Sequence, residues 1–181
     1  MRLLRPGSVV GRIGDALVPA DLYPLAYEPV ALFGMAYPSR VDWAVLATHG
    51  VGHVVCLTHD APPYDPAPLR CTAIRLADLY HGGVPLDVDA EQMRVRRAAS
   101  VVVDSVRAGV GVAVHCHAGR GRTGAVLGAA LVVLGHDPAR VVEHLDRVQR
   151  ERGKPGWPES PWQAEVVAAA ATWGLSSPER A

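Results

Sequence analysis

The sequence predicts an α/β domain: a mainly parallel central sheet of about four to five strands flanked by helices on both faces. With 181 residues, 49% of them hydrophobic, the chain has material for one full-sized core and too little for a second large domain. Short β-rich runs alternate along it with stretches whose apolar residues recur at helical spacing, as expected of strands joined by crossover helices. In addition, residues 111–134 run from a buried type of strand through a glycine-rich turn straight into an apolar helix.

Pro6, Pro19, Pro24 and Pro29 interrupt any long element, so residues 1–29 read as an irregular lead-in with short extended pieces packed on the domain. A strand is expected near Val30–Phe33, a helix over Val41–His49 and a strand over His53–Thr58. The proline-rich loop Ala61–Pro68 leads to a strand at Cys71–Leu76. Beyond Pro85, Asp89–Ala108 reads as an amphipathic helix with Arg94, Arg96 and Arg97 on its solvated face, ended by Gly109. A strand at Gly111–His115 and a helix over Thr123–Leu134 follow, then helices at Pro138–Glu151 and Ser160–Trp173, separated by the breaker cluster Gly153–Pro158. The domain thus spans residues 30–174, with 175–181 as a C-terminal tail, and no internal repeat is visible.

Eighteen basic and eighteen acidic residues cancel, which removes any global field toward nucleic acid or an anionic membrane. Neither is expected as a stable partner, and anion recognition must be local. The longest apolar run, Ala125–Leu134, is about half the ~20 residues a membrane-spanning helix needs. Arg2 and Arg5 are followed by Pro6 and Gly7 rather than by an apolar signal core, so a cytoplasmic location is expected. The three cysteines, Cys56, Cys71 and Cys116, suggest neither a disulfide framework nor a zinc cluster, and the remaining histidines lack ligand spacing, so no metal or cofactor is called for. Cys56 and Cys71 read as buried packing residues, either of which could bridge to Cys116 under oxidation if close to it.

The informative segment is His115-Cys116-His117-Ala118-Gly119-Arg120-Gly121-Arg122-Thr123-Gly124. Where a strand gives way to a helix, the unpaired amides of the first turn and the positive end of the helix dipole favour an anion. Glycines let successive N–H groups converge on it. Cys116, at the start of this loop, stands in the same positive potential, which favours its thiolate. Arg122, six residues later, can bring a guanidinium fork to the same anion.

The segment resembles the signature loop of the cysteine-dependent protein-tyrosine phosphatase superfamily, His-Cys-x-x-Gly-x-x-Arg followed by Ser or Thr, and every defining position matches. The phrase Leu32–Pro38 is similar to the opening strand of its compact, atypical dual-specificity members. The resemblance implies that fold, and implies that Cys116 attacks phosphorus in line, Arg122 clamps the phosphoryl group, Thr123 assists the departing thiolate and His115 tunes the cysteine. His117, Ala118, Gly119, Arg120 and Gly121 would line the substrate loop with Arg122. In-line attack needs a proton donor for the leaving group. Asp78, after the strand Ile74–Leu76, is similar in place to the family's general acid, with Gly82, Gly83 and Pro85 to turn its loop. Of its competitors, Asp60 and Asp65 lie in another loop, while Asp87 and Asp89 suit a helix N-terminus. Gln163 resembles the glutamine that positions the hydrolytic water in some members.

Phosphate monoesters on proteins, phosphotyrosine first with phosphoserine and phosphothreonine, are therefore the leading expected substrates, with small phosphate esters beside them. His117 and Arg120 add basic character at the variable rim positions, similar to the phosphatase-and-tensin-type lipid phosphatases, which keeps a phosphoinositide or inositol phosphate as the second expectation. Phosphate binding without turnover is the third.

Overall fold

The structure, a computed structural model, describes residues 2–3, 22–27, 30–39, 41–79 and 82–174. Six strands, β1 (Arg2–Leu3), β2 (Tyr23–Tyr27), β3 (Leu32–Met35), β4 (Val51–Cys56), β5 (Arg70–Ala73) and β6 (Gly111–His115), form one sheet in the order β1-β2-β3-β6-β4-β5. The three pairings β3–β6, β6–β4 and β4–β5 are parallel, and β1 and β2 extend the sheet antiparallel beyond β3. Five helices accompany the sheet among the described residues: α1 (Trp43–Thr48), α2 (Val88–Arg107), α3 (Gly121–Val133), α4 (Pro138–Glu151) and α5 (Pro161–Ala169), the last running into a 3-10 turn at Ala170–Thr172.

The lead-in differs from its sequence reading in one respect. Tyr23–Tyr27 is an ordered strand of the main sheet, although it contains Pro24. Its register shifts between Pro24 and Ala26, and a proline is tolerated at such an irregularity because its missing N–H is not required there. Residues 4–21, 28–29 and the tail 175–181 lie outside the described residues.

Period-2 alternation assigns the two faces of the sheet. Leu32, Val55, Leu57, Val112 and Val114 pack with α2 and α3, and α4 and α5 join that larger core. Phe33, Met35, Val54 and Ala113 turn the other way, onto Trp43 and Leu46 of the short α1. All five residues of β6 are buried, as a central parallel strand covered on both faces requires. The α1 connection from β3 to β4 skips over β6, which enters between them after α2 on the opposite face. Met35, His115 and Cys56 are register partners, so β3, β6 and β4 end together and the chain after His115 emerges at this switch in strand order, where open α/β sheets place their ligand crevice.

Candidate active site

β6 ends at His115 and α3 begins at Gly121, so residues 116–120 form the connecting loop foreseen from the sequence. The start of α3 is treated differently from the other helices. Asp42, Asp87 and Asp137 cap α1, α2 and α4 by accepting from Val45, Ala90 and Arg140 amides, and the Gln163 amide oxygen folds back to the Ser160 N–H at the start of α5. No side chain caps α3. Its first amides and the positive dipole end are left for an external anion.

A cavity of about 370 Å³ opens over this loop, lined by Asp78, Cys116, His117, Ala118, Arg122 and Glu159. Cys116 is buried at its base, while His117 and Ala118 are exposed at the rim. Arg122 Nη2 donates to Asp78 Oδ2 at 2.6 Å, so the two residues singled out from the sequence meet across the mouth. Thr123 is fully buried and its Oγ1 has no hydrogen-bond partner. An orphaned buried hydroxyl costs about 1–3 kcal/mol.

Long-range contacts hold Asp78 over the cavity. Glu91, buried in the first turn of α2, accepts from the Ala77 amide at 2.7 Å, and Ser160 Oγ donates to the Gly83 carbonyl, so the loop is anchored on both sides of Asp78. Asp87 serves as the α2 cap, Asp65 accepts from the Ala67 amide at 3.0 Å and Asp89 lies in the first turn of α2. Asp60 lines a second cleft of about 600 Å³, which shares Asp78 and Arg122 with the first and extends past Arg75 and Arg94.

His115 is fully buried and bridges the loop to the opposite face of the sheet. Its Nε2 hydrogen-bonds the Tyr64 hydroxyl, and its Nδ1 lies 3.4 Å from the Cys116 carbonyl oxygen. Tyr64 stacks on Trp43 with ring centroids 5.4 Å apart, which ties the loop after β4 to α1. Because successive strand residues alternate, Cys116 faces the α3 side whereas Cys56, the register partner of His115, faces the Tyr64 side. The three cysteines are free. Burial opposes ionisation of the Cys56 thiol, yet its hydrogen bonds with His115 and Thr58 outweigh that and bring it down to about 6. Cys71, read from the sequence as buried, is exposed, because β5 is an edge strand paired only with β4.

Two rim residues are engaged differently from their sequence reading. Gln163, 1% exposed, directs its Oε1 to the Glu159 amide at 2.9 Å and the Ser160 amide at 3.4 Å, and the residue of that segment lining the cavity is Glu159. Glu159 in turn pairs with Arg120, Nη2 to Oε1 at 2.8 Å, so the cationic charge of Arg120 is already answered. In the sequence, Glu159 lay hidden at the edge of a segment read only as a helix breaker.

Residues 26–165 match the family described as Swiss Army Knife protein, DSP-PTPase phosphatase domain. Among solved structures, human DUSP28 is similar with a TM-score of 0.62 and 20% identity, over 85% of this chain and 95% of that one. Tk-PTP in the active form gives 0.55 and 24%, over 78% and 90%. PTPMT1 in complex with PI(5)P gives 0.60 and 16%, over 77% and 89%. At these identities the likeness is one of fold. No curated protein matches by sequence. No helix among the described residues is long and apolar enough to cross a membrane.

Proposed function

The chain belongs to the DSP-PTPase phosphatase domain family, and from that footing we propose that it hydrolyses phosphate monoesters on proteins, phosphotyrosine first and phosphoserine or phosphothreonine beside it, through a phosphocysteine intermediate. The observation that carries this reading is the convergence of Cys116, Arg122 and Asp78 on one cavity above the uncapped start of α3.

In this reading the phosphoryl dianion docks on the loop amides and takes over the Arg122 fork, displacing Asp78 from its ion pair, and the freed carboxylate takes up a proton from solvent. The Cys116 thiolate forms a P–S bond as the P–O bond to the leaving group breaks, and Asp78 delivers a proton to the departing oxygen. Phosphoryl transfer asks the protein mainly for positioning and for charge stabilisation around the equatorial oxygens, which the amides and Arg122 supply. Water then attacks phosphorus, Asp78 takes its proton, and the P–S bond breaks with the Thr123 hydroxyl donating to the returning thiolate. Turnover of para-nitrophenyl phosphate by the reduced protein tests the reaction, and phosphopeptide and phosphoinositide panels test the substrate. No turnover by reduced wild type would leave phosphate binding as the function and overturn the reading.

A phosphoinositide or inositol phosphate substrate is the second reading, in keeping with PTPMT1 and its bound PI(5)P. The Arg120–Glu159 pair favours the first, because it answers the Arg120 charge that a polyphosphorylated ring would use and leaves a carboxylate lining the same cavity as the cysteine. Glu159→Gln is accordingly expected to raise kcat/KM on a multiply phosphorylated inositol by roughly fivefold relative to para-nitrophenyl phosphate, about 1 kcal/mol of relieved repulsion. An unchanged ratio would remove the argument from Glu159.

A further inference from the structure

We infer that Tyr23, Gln149 and Arg152 are positioning residues that aim the Arg120 amide into the phosphate loop by holding the Gly119 carbonyl on its outside; this rests on the phosphate-binding part of the proposed function. Three donors converge on that one oxygen: Tyr23 Oη at 2.8 Å, Gln149 Nε2 at 3.4 Å and Arg152 Nη1 at 3.5 Å. In a trans peptide the C=O and the following N–H point in opposite directions, so a carbonyl drawn outward sends the next amide inward. Gly119 has φ +66°, a conformation a glycine can leave easily, and a flipped peptide would present oxygen instead of N–H to the anion. The neighbouring carbonyls are held too: His117 O accepts from the Tyr37 amide at 3.0 Å, and Gly121 O from Trp157 Nε1 at 3.3 Å. Gly119 differs in having three donors, all side chains, drawn from β2 and from the C-terminal end of α4.

The clamp is built around Tyr23. Its cross-strand partner is Gly34, where an added Cβ would fall 2.2 Å from the Tyr23 Cζ and Oη atoms; the bare strand lets the ring cross β3 and reach the loop. The Arg152 guanidinium lies 4.0 Å from the ring centroid, and its Nη1 also donates to Gln149 Oε1 at 2.6 Å. Tyr23 and Gln149 are buried, and burial pushes the Tyr23 hydroxyl pKa upward, which keeps it a donor. Tyr23 also precedes the segment 26–165 that matches the family, so the clamp draws on a residue outside that match.

Tyr23→Phe keeps the ring and its contact with Arg152 while deleting the shortest of the three bonds. Its kcat/KM on para-nitrophenyl phosphate is expected to fall about five- to tenfold, with the Ki of inorganic phosphate rising in parallel, since the amide grips ground and transition states alike. A Ki equal to wild type overturns the inference, whatever happens to Tm. The second measurement needs no variant: titrating 15N-labelled wild type with inorganic phosphate should move the Arg120 amide proton downfield, and an unmoved Arg120 amide in a protein that binds phosphate overturns the inference too. Phosphate binding with the shift but without turnover would uphold the clamp while sinking the catalytic reading; turnover without the shift would do the reverse.

Discussion

Cys116→Ser is expected to abolish hydrolysis of para-nitrophenyl phosphate, a fall of at least ~10⁴-fold, while the variant still binds inorganic phosphate or vanadate. The asymmetry follows from the site. Serine is nearly isosteric, so the loop, the uncapped start of α3 and Arg122 keep their geometry and the anion keeps its donors. A serine hydroxyl stays protonated at neutral pH and offers no anion to attack phosphorus, whereas sulfur is intrinsically the far stronger nucleophile. Steady-state kinetics checks the first half and phosphate titration by calorimetry the second. Retained turnover would remove Cys116 as nucleophile. Loss of both turnover and binding would mean that the substitution had damaged the loop, and the role of the sulfur would then be read from intermediate trapping in wild type, where a rapid denaturing quench should recover phosphate on Cys116.

How much of this site could be read beforehand depended on how far along the chain its contacts reach. β6, the loop and α3 are contiguous, and β6 at Gly111–His115 lies where its apolar run and the following glycines predicted. The helix α2 was equally legible because aspartates mark its start and apolar spacing its face, and α4 because the breaker cluster Gly153–Pro158 closes it. β2 was not, since five residues containing a proline have no pattern of their own and become a strand only by pairing with β3. Asp78 was legible by its place after a strand, but the contacts anchoring its loop come from Glu91 and Ser160, the latter 77 residues beyond Gly83. Tyr23 lies 96 residues from the carbonyl it holds, so nothing local marks it as part of the site. Charge at the rim was misjudged for the same reason: counting His117 and Arg120 as cations missed Glu159, which folding brings against Arg120.

Asp78→Asn should separate two roles that the Arg122 pair joins. As proton donor, Asp78 is expected to matter most for leaving groups that depart poorly without a proton, so kcat on phosphotyrosine peptides should fall by roughly 10²–10⁴-fold and on para-nitrophenyl phosphate, whose leaving group is less basic, by less. As the carboxylate bound to Arg122 Nη2 at 2.6 Å, it competes with the phosphoryl group for the same guanidinium. Asparagine keeps the shape and gives up the charge, so Arg122 turns to the ligand at lower cost, and the Ki of inorganic phosphate or vanadate should drop severalfold while kcat collapses. Leaving-group dependence carries a third signature: with an aspartic acid donor kcat changes little along a series of aryl phosphates, whereas in the variant it should fall steeply as the leaving group becomes more basic. A Ki that rises together with the loss of kcat would show Asp78 acting through the shape of the site rather than through its proton. A series that stays flat in the variant would assign the proton to another group, and Asp60, on the cleft that shares Asp78 and Arg122, would be the next carboxylate to replace.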